Sequence, residues 1–229
     1  MRTIAIGLGL AAALAATVQA DARSRRPLPV GAGTANPSAL VAEEIAFARM
    51  AREKGQWKAF AKFADDEALM FVPQEVQAQI WLKRQEDPAA PVQWEPHQVW
   101  MSCDGTLGVT KGAWHKPDGT VGWYTTIWKR QKKGEYRWVL DHGDTLPSAP
   151  QEPEMLAARV AKCGRRPDAP PAVSPPADAR TFMGGNALDG TLRWHVTVLS
   201  GNDARSVSVE MWNGTAFETI VQDNVTPQG

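Results

Sequence analysis

Apolar and polar positions divide the chain into successive rhythms. Between residues 36 and 85 apolar side chains return every three or four positions, which is helical spacing. From 92 to 144 they alternate, which is strand spacing. The pattern then dissolves into Pro and Ala over 147–176, and alternation returns over 191–225.

Asn36-Pro37 predicts a helix start, because Asn caps and Pro suits the first turn. From Leu40 the helix continues through Val41, Ile45, Phe47, Ala48 and Ala51, and Gly55 ends it. A short second helix carries Trp57, Phe60, Ala61 and Ala64 on one face. Asp65-Asp66 reads as a turn, 68–72 as a short strand stopped by Pro73, and 75–85 as a third helix burying Val76, Ile80 and Trp81. Four strands follow at 92–103, 107–115, 121–131 and 136–144. Turns at Asp104-Gly105, Pro117-Asp118-Gly119 and 132–135 separate them.

Helices first and a four-strand antiparallel meander second predict an α+β fold, with the helices covering one face of a curved sheet. The Pro/Ala-rich segment predicts a linker with one short helix at 154–162. Three further strands are expected in 191–225, with Asn213-Gly214 as a hairpin turn. A module of about 40 residues rarely stands alone, so it should pack on the main domain or on a second subunit. The expected divisions are a signal peptide at 1–20, an arm at 21–37, the main domain at 38–146, a linker at 147–177 and a small β module at 178–229.

The N-terminus changes the setting. Arg2, an uncharged apolar run over 4–18 and Val18-Gln19-Ala20 form the order of a cleavable secretory signal. The run is shorter than the roughly 20 residues that cross a bilayer. A periplasmic or secreted protein without a membrane span after cleavage is therefore expected. No Cys stands near the cleavage point, and Arg25-Arg26 follows the apolar run, so neither a lipoprotein nor a twin-arginine signal is indicated. Lys+Arg and Asp+Glu both number 25, which gives no basic excess to favour nucleic acid as a partner. In an exported chain the pair Cys103 and Cys163 favours one disulfide over two unpaired thiols.

The segments 43–54, 59–66, Phe71-Val72-Pro73, 122–128 and 134–144, taken in that order, carry a family pattern. In them the chain resembles the nuclear-transport-factor-2-like, or SnoaL-like, superfamily over residues 38–145. The resemblance implies a cone: a curved sheet around a helix, with an apolar pocket inside. It also implies a homodimer paired through the convex sheet face. Its members include isomerases, dehydratases, cyclases, epoxide hydrolases and proteins without chemistry, so the fold alone does not name an activity.

Enzymes of this kind place acids with Tyr or His inside the cone, where burial raises a carboxyl pKa toward neutrality. The candidates are Asp141, His142 and Asp144, with Asp144 and Asp141 also readable as strand-end caps. Strict alternation puts Asp141 with Val139, and His142 and Asp144 with Trp138 and Leu140. The large apolar pair favours that second face as the inner one, although a bulge would change the count. Candidate ligand-binding residues are Trp57, Phe60, Trp81, His97, Tyr124, Trp128 and Trp138; His115 beside its turn reads as solvated. There is no glycine-rich phosphate loop, no HExxH and no CxxC, so neither cofactor nor metal is expected. Three functions fit: binding of a small apolar molecule, acid–base catalysis on one, or assembly through the C-terminal strands.

Overall fold

The computed structural model describes residues 33–164 and 173–226. The signal segment and most of the arm lie outside the described residues, as do residues 165–172 of the linker. Helix α1, Pro37–Lys54, begins as its sequence dictates: Asn36 Oδ1 accepts the Ala39 N–H at 3.3 Å. Its buried face is Leu40, Glu44, Phe47, Ala48 and Ala51, whereas Ile45 is 49% exposed. The face is thus rotated from the one that apolar positions alone suggest, and a glutamate lies at its centre. Gly55, at φ 116°, turns the chain into α2, Gln56–Phe63. The Asp87 carboxylate caps α2 from a distance, accepting the Trp57 N–H at 2.7 Å, and fills the space a Cβ on Gly55 would need.

Strand β1, Ala64–Phe71, starts earlier than expected, and Asp65-Asp66 lies within it. The expected third helix is divided. Glu75–Gln77 forms strand β2 on the edge of β1, and only Ala78–Leu82 forms helix α3. The meander follows as β3 (Gln93–Met101), β4 (Leu107–His115), β5 (Val121–Arg130) and β6 (Tyr136–Leu146). The expected helix at 154–162 is instead strand β7, Ala157–Val160, which pairs in parallel with β3. Local propensity yields there to the open edge of β3 and to the Cys103–Cys163 disulfide, whose Cα atoms are 5.3 Å apart. The resulting sheet runs β2-β1-β6-β5-β4-β3-β7. With the helices against one face, it is the α+β cone that the resemblance implies.

The C-terminal strands are β8 (Ala179–Asn186), β9 (Leu192–Leu199), β10 (Arg205–Trp212) and β11 (Phe217–Val225), in the order β11-β10-β9-β8. Strand β8 has little alternation to announce it, because Gly184 and Gly185 interrupt its apolar positions. Alternation along the meander builds two cores. Val99, Met101, Trp128 and Trp138 join the helices, while Trp100, Val109, Ile127 and Leu140 pack against Trp194, Val196, Val209 and Met211 of the second sheet. The C-terminal module therefore covers the face of the main sheet opposite the helices.

Two turns clasp the sheets together. Asp104 Oδ2 accepts the Asp189 N–H, and Asp189 Oδ2 accepts the Asp104 N–H, each at 2.8 Å. Thr191 Oγ1 accepts the Cys103 N–H at 2.9 Å beside the disulfide. Among the described residues, no helix is long and apolar enough to cross a membrane.

Candidate functional site

One residue decides which side chains enter the cone. In β6 the pairing runs Leu140 opposite Ile127 and Trp138 opposite Trp128, so Val139 is an unpaired bulge. The bulge breaks the alternation. Trp138 and Asp141 face the helices, and Leu140 and His142 face the second sheet. The grouping of Trp138 with His142 that strict alternation suggests is therefore corrected.

A cavity of about 670 Å³ lies inside the cone and reaches the second sheet, where His142, Val198, Arg205 and Val225 join its lining. Its inner wall is aromatic, with Phe47, Trp57, Phe60 and Trp94 contributing. These rings meet mostly edge to face, with Phe47 centred 4.8 Å from both Phe60 and Trp94. Asp141, Thr126 and Tyr124 supply polar groups from the sheet. Lys116, Arg180 and the buried Arg205 are the cations of its lining. Arg180 is paired with Asp203 and Glu75, Lys116 lies over the Trp114 ring, and Arg205 donates to the Gly143 carbonyl at 2.6 Å.

Behind this wall lies a polar chain. Glu44, only 1% exposed, accepts from Trp94 Nε1 at 2.8 Å and from the Thr110 hydroxyl at 2.6 Å. Thr110 in turn accepts from Trp128 Nε1 at 2.9 Å. Burial raises the Glu44 carboxyl to about 7 against those hydrogen bonds, and the nearby Asp141 adds to the rise. Asp141 is likewise raised to about 7 by burial, opposed only by the Thr126 hydroxyl, which donates to its Oδ2 at 2.6 Å. Asp141 keeps some accessible surface, but that surface faces the cavity and not bulk water. Tyr124 is 6% exposed, and its hydroxyl has no partner. Burial, followed by the charges of Glu44 and Asp141, pushes its pKa well above 10.

The structure distributes the other expected residues as follows. Trp57 and Phe60 line the cavity with Tyr124. Trp81 stands behind Trp57, ring centres 5.0 Å apart. Trp128 and Trp138 are wholly buried in the helix-side core. His97 sits at a register shift in β3, 3.9 Å from Glu95, away from the cavity lining.

The His142 imidazole is enclosed between the sheets, its Nε2 3.3 Å from Asp223 Oδ2. That approach is close enough for electrostatic contact but is not aligned as a hydrogen bond. Burial lowers the His142 pKa, which keeps the ring neutral. Asp223 is held at about 2. Burial would raise it, but His142, Lys111 and Thr125 together outweigh burial. Asp144, within β6, accepts the Thr145 N–H at 2.8 Å and is among the residues lining the cavity. Asp141, His142 and Asp144 are all among the residues lining the cavity, but among the described residues no hydrogen bond joins them, and His142 is directed at Asp223. Glu44, absent from the sequence-based set, is the group that joins Asp141. Its signal was available: at position 44 it shares the helical face of residues 40, 47, 48 and 51.

No protein-family model and no curated protein matches the sequence. Solved structures similar in backbone include a ketosteroid isomerase candidate from Parabacteroides distasonis. It is 14% identical at a TM-score of 0.40, covering 50% of this chain and 96% of that one. A Pectobacterium atrosepticum protein of unknown function is 12% identical at a TM-score of 0.38, covering 52% and 98%. An NTF2-like protein of unknown function from Burkholderia xenovorans is 15% identical at 0.32, covering 51% and 89%. No residue role is carried over from them.

Proposed function

We propose that this is an exported, periplasmic or secreted protein that binds a small, largely apolar molecule inside the cone. The observation that carries the reading is the aromatic-walled cavity of about 670 Å³ with the Asp141 carboxyl in its lining. A cavity of drug-molecule size, walled by aromatic rings with a few polar groups among them, is suited to a small, largely apolar ligand. The disulfide fits an oxidising compartment. Any homodimer would use a surface other than the sheet face that the C-terminal strands already cover.

A screen of small hydrophobic compounds tests this, read by melting temperature and by the fluorescence of Trp57 and Trp94. Hits that Tyr124→Phe weakens are expected. A screen in which no compound moves either signal would remove the reading.

A second reading is acid–base chemistry with Asp141 as the proton carrier. It is favoured by a carboxyl held at about 7, which can take and return a proton near neutral pH. Solvent deuterium should then enter the position next to the carbonyl of a bound ketone, and Asp141→Asn should stop it. If bound ketones exchange no faster than free ones, this reading fails.

A further inference from the structure

The geometry points to a protonated amine as the ligand's polar group: an arylalkylammonium with its nitrogen against Asp141 and its hydrocarbon among Phe47, Trp57, Phe60 and Trp94. This deepens, and rests on, the reading of the cavity as a ligand site.

Three observations support it. First, Asp141 has no cationic partner among the described residues; its one hydrogen bond comes from the neutral Thr126 hydroxyl. A carboxylate buried without a counter-charge is unfavourable, and a cation brought by the ligand would supply one. Second, the cations that line the cavity are engaged elsewhere. Arg180 pairs with Asp203 and Glu75, Lys116 lies over Trp114, and Arg205 donates to the Gly143 carbonyl and lies over the Phe71 ring; Lys111, on the opposite face, pairs with Asp223. Third, the cavity offers what an ammonium uses. Its N–H donors can meet the free oxygen of Asp141, while ring faces attract the adjoining positive charge.

Glu44 of α1 lies within electrostatic reach of Asp141, and the Tyr124 and Thr126 hydroxyls of β5 share its wall. Met70 of β1 pairs beside it, and Glu95 of β3 acts on Tyr124. Of these, Asp141, Glu44 and Glu95 carry carboxyls; the buried cation of the same cavity, Arg205, acts on His142 and Asp144 and not on Asp141.

The test compares 4-phenylbutylamine with 4-phenylbutan-1-ol, which share a skeleton, by titration calorimetry on the disulfide-intact protein. At pH 7.5 the amine is expected to bind about tenfold more tightly than the alcohol, given a charge-assisted bond in place of a neutral one. The amine is charged throughout, so lowering the pH to 5.5 protonates the carboxyl and should shrink the preference to about twofold or less. Asp141→Asn keeps the side-chain shape and the Thr126 contact. It should remove the preference at pH 7.5. Alcohol binding as tight as amine binding, or an amine preference that survives Asp141→Asn, overturns the ammonium inference and leaves the cavity standing. Binding of neither compound at millimolar concentration overturns both.

Discussion

Asp141→Asn should stabilise the protein, and by an amount that depends on pH. The folded value of Asp141 is about 7, against 3.8 for an unperturbed aspartate. The folded state therefore holds this proton more tightly than the unfolded chain does. Stability from the group is fully present below about pH 4 and is lost as pH rises toward 7, the reverse of a salt-bridged aspartate. A gap of that size corresponds to about 4 kcal/mol at pH 8, an upper limit because relaxation and cavity water soften the burial penalty. Asparagine does not titrate, so the difference between variant and wild type isolates the group. Urea unfolding at half-unit intervals from pH 4 to pH 8 measures it. The two proteins should be nearly equally stable at pH 4, and the variant should lead by about 2–4 kcal/mol at pH 8. Loss of the Asp141 charge also relieves Glu44, which acts in the same direction. A stability gap that stays flat across the pH range would mean that Asp141 does not hold its proton more tightly in the folded state.

Three further outcomes are expected. Replacing Cys103 and Cys163 by Ser opens a loop of 60 residues and should lower unfolding stability by about 4 kcal/mol; an unchanged urea midpoint would contradict this. Leu140, 0% exposed between the two sheets, should lose about 2–5 kcal/mol on truncation to Ala, while Ile80→Ala, at an exposed position, should change stability by less than about 1 kcal/mol. Lys111→Met removes a partner that holds Asp223 near 2. Because that depressed value stabilises the fold above about pH 4 and is lost as pH falls toward 2, acid unfolding should begin at higher pH in the variant. An acid midpoint identical to wild type would show that the pair contributes nothing.

The sequence discloses the elements whose signals are local. Asn36-Pro37 caps its own helix, and the meander is visible because alternation and Asp-Gly turns mark each strand. It conceals what long-range pairing creates. Residues 157–160 become a strand only because β3 offers an open edge and a disulfide holds them there. Residues 75–77 leave their helix to pair with β1 for the same kind of reason.

The candidate site was half legible. Trp57, Phe60, Tyr124, Asp141, His142 and Asp144 line the cavity, and all six stand out in the sequence as aromatic or titratable residues of the right elements. The bulge at Val139 was not legible, since nothing in Trp138-Val139-Leu140 marks which residue drops out of register. That one residue turns Asp141 toward the helix side of the sheet and His142 toward Asp223 of the second sheet. Glu44 was missed for a different reason: tracing only apolar positions passes over a glutamate on the buried face of α1.

The most direct test of the account is the titration of the Asp141 carboxyl by carbon-13 NMR, with and without a hydrophobic ligand. A midpoint near 7 that moves when the ligand binds is expected from a carboxyl deep in a ligand-binding cone. A midpoint near 4, unmoved by any ligand, would contradict it.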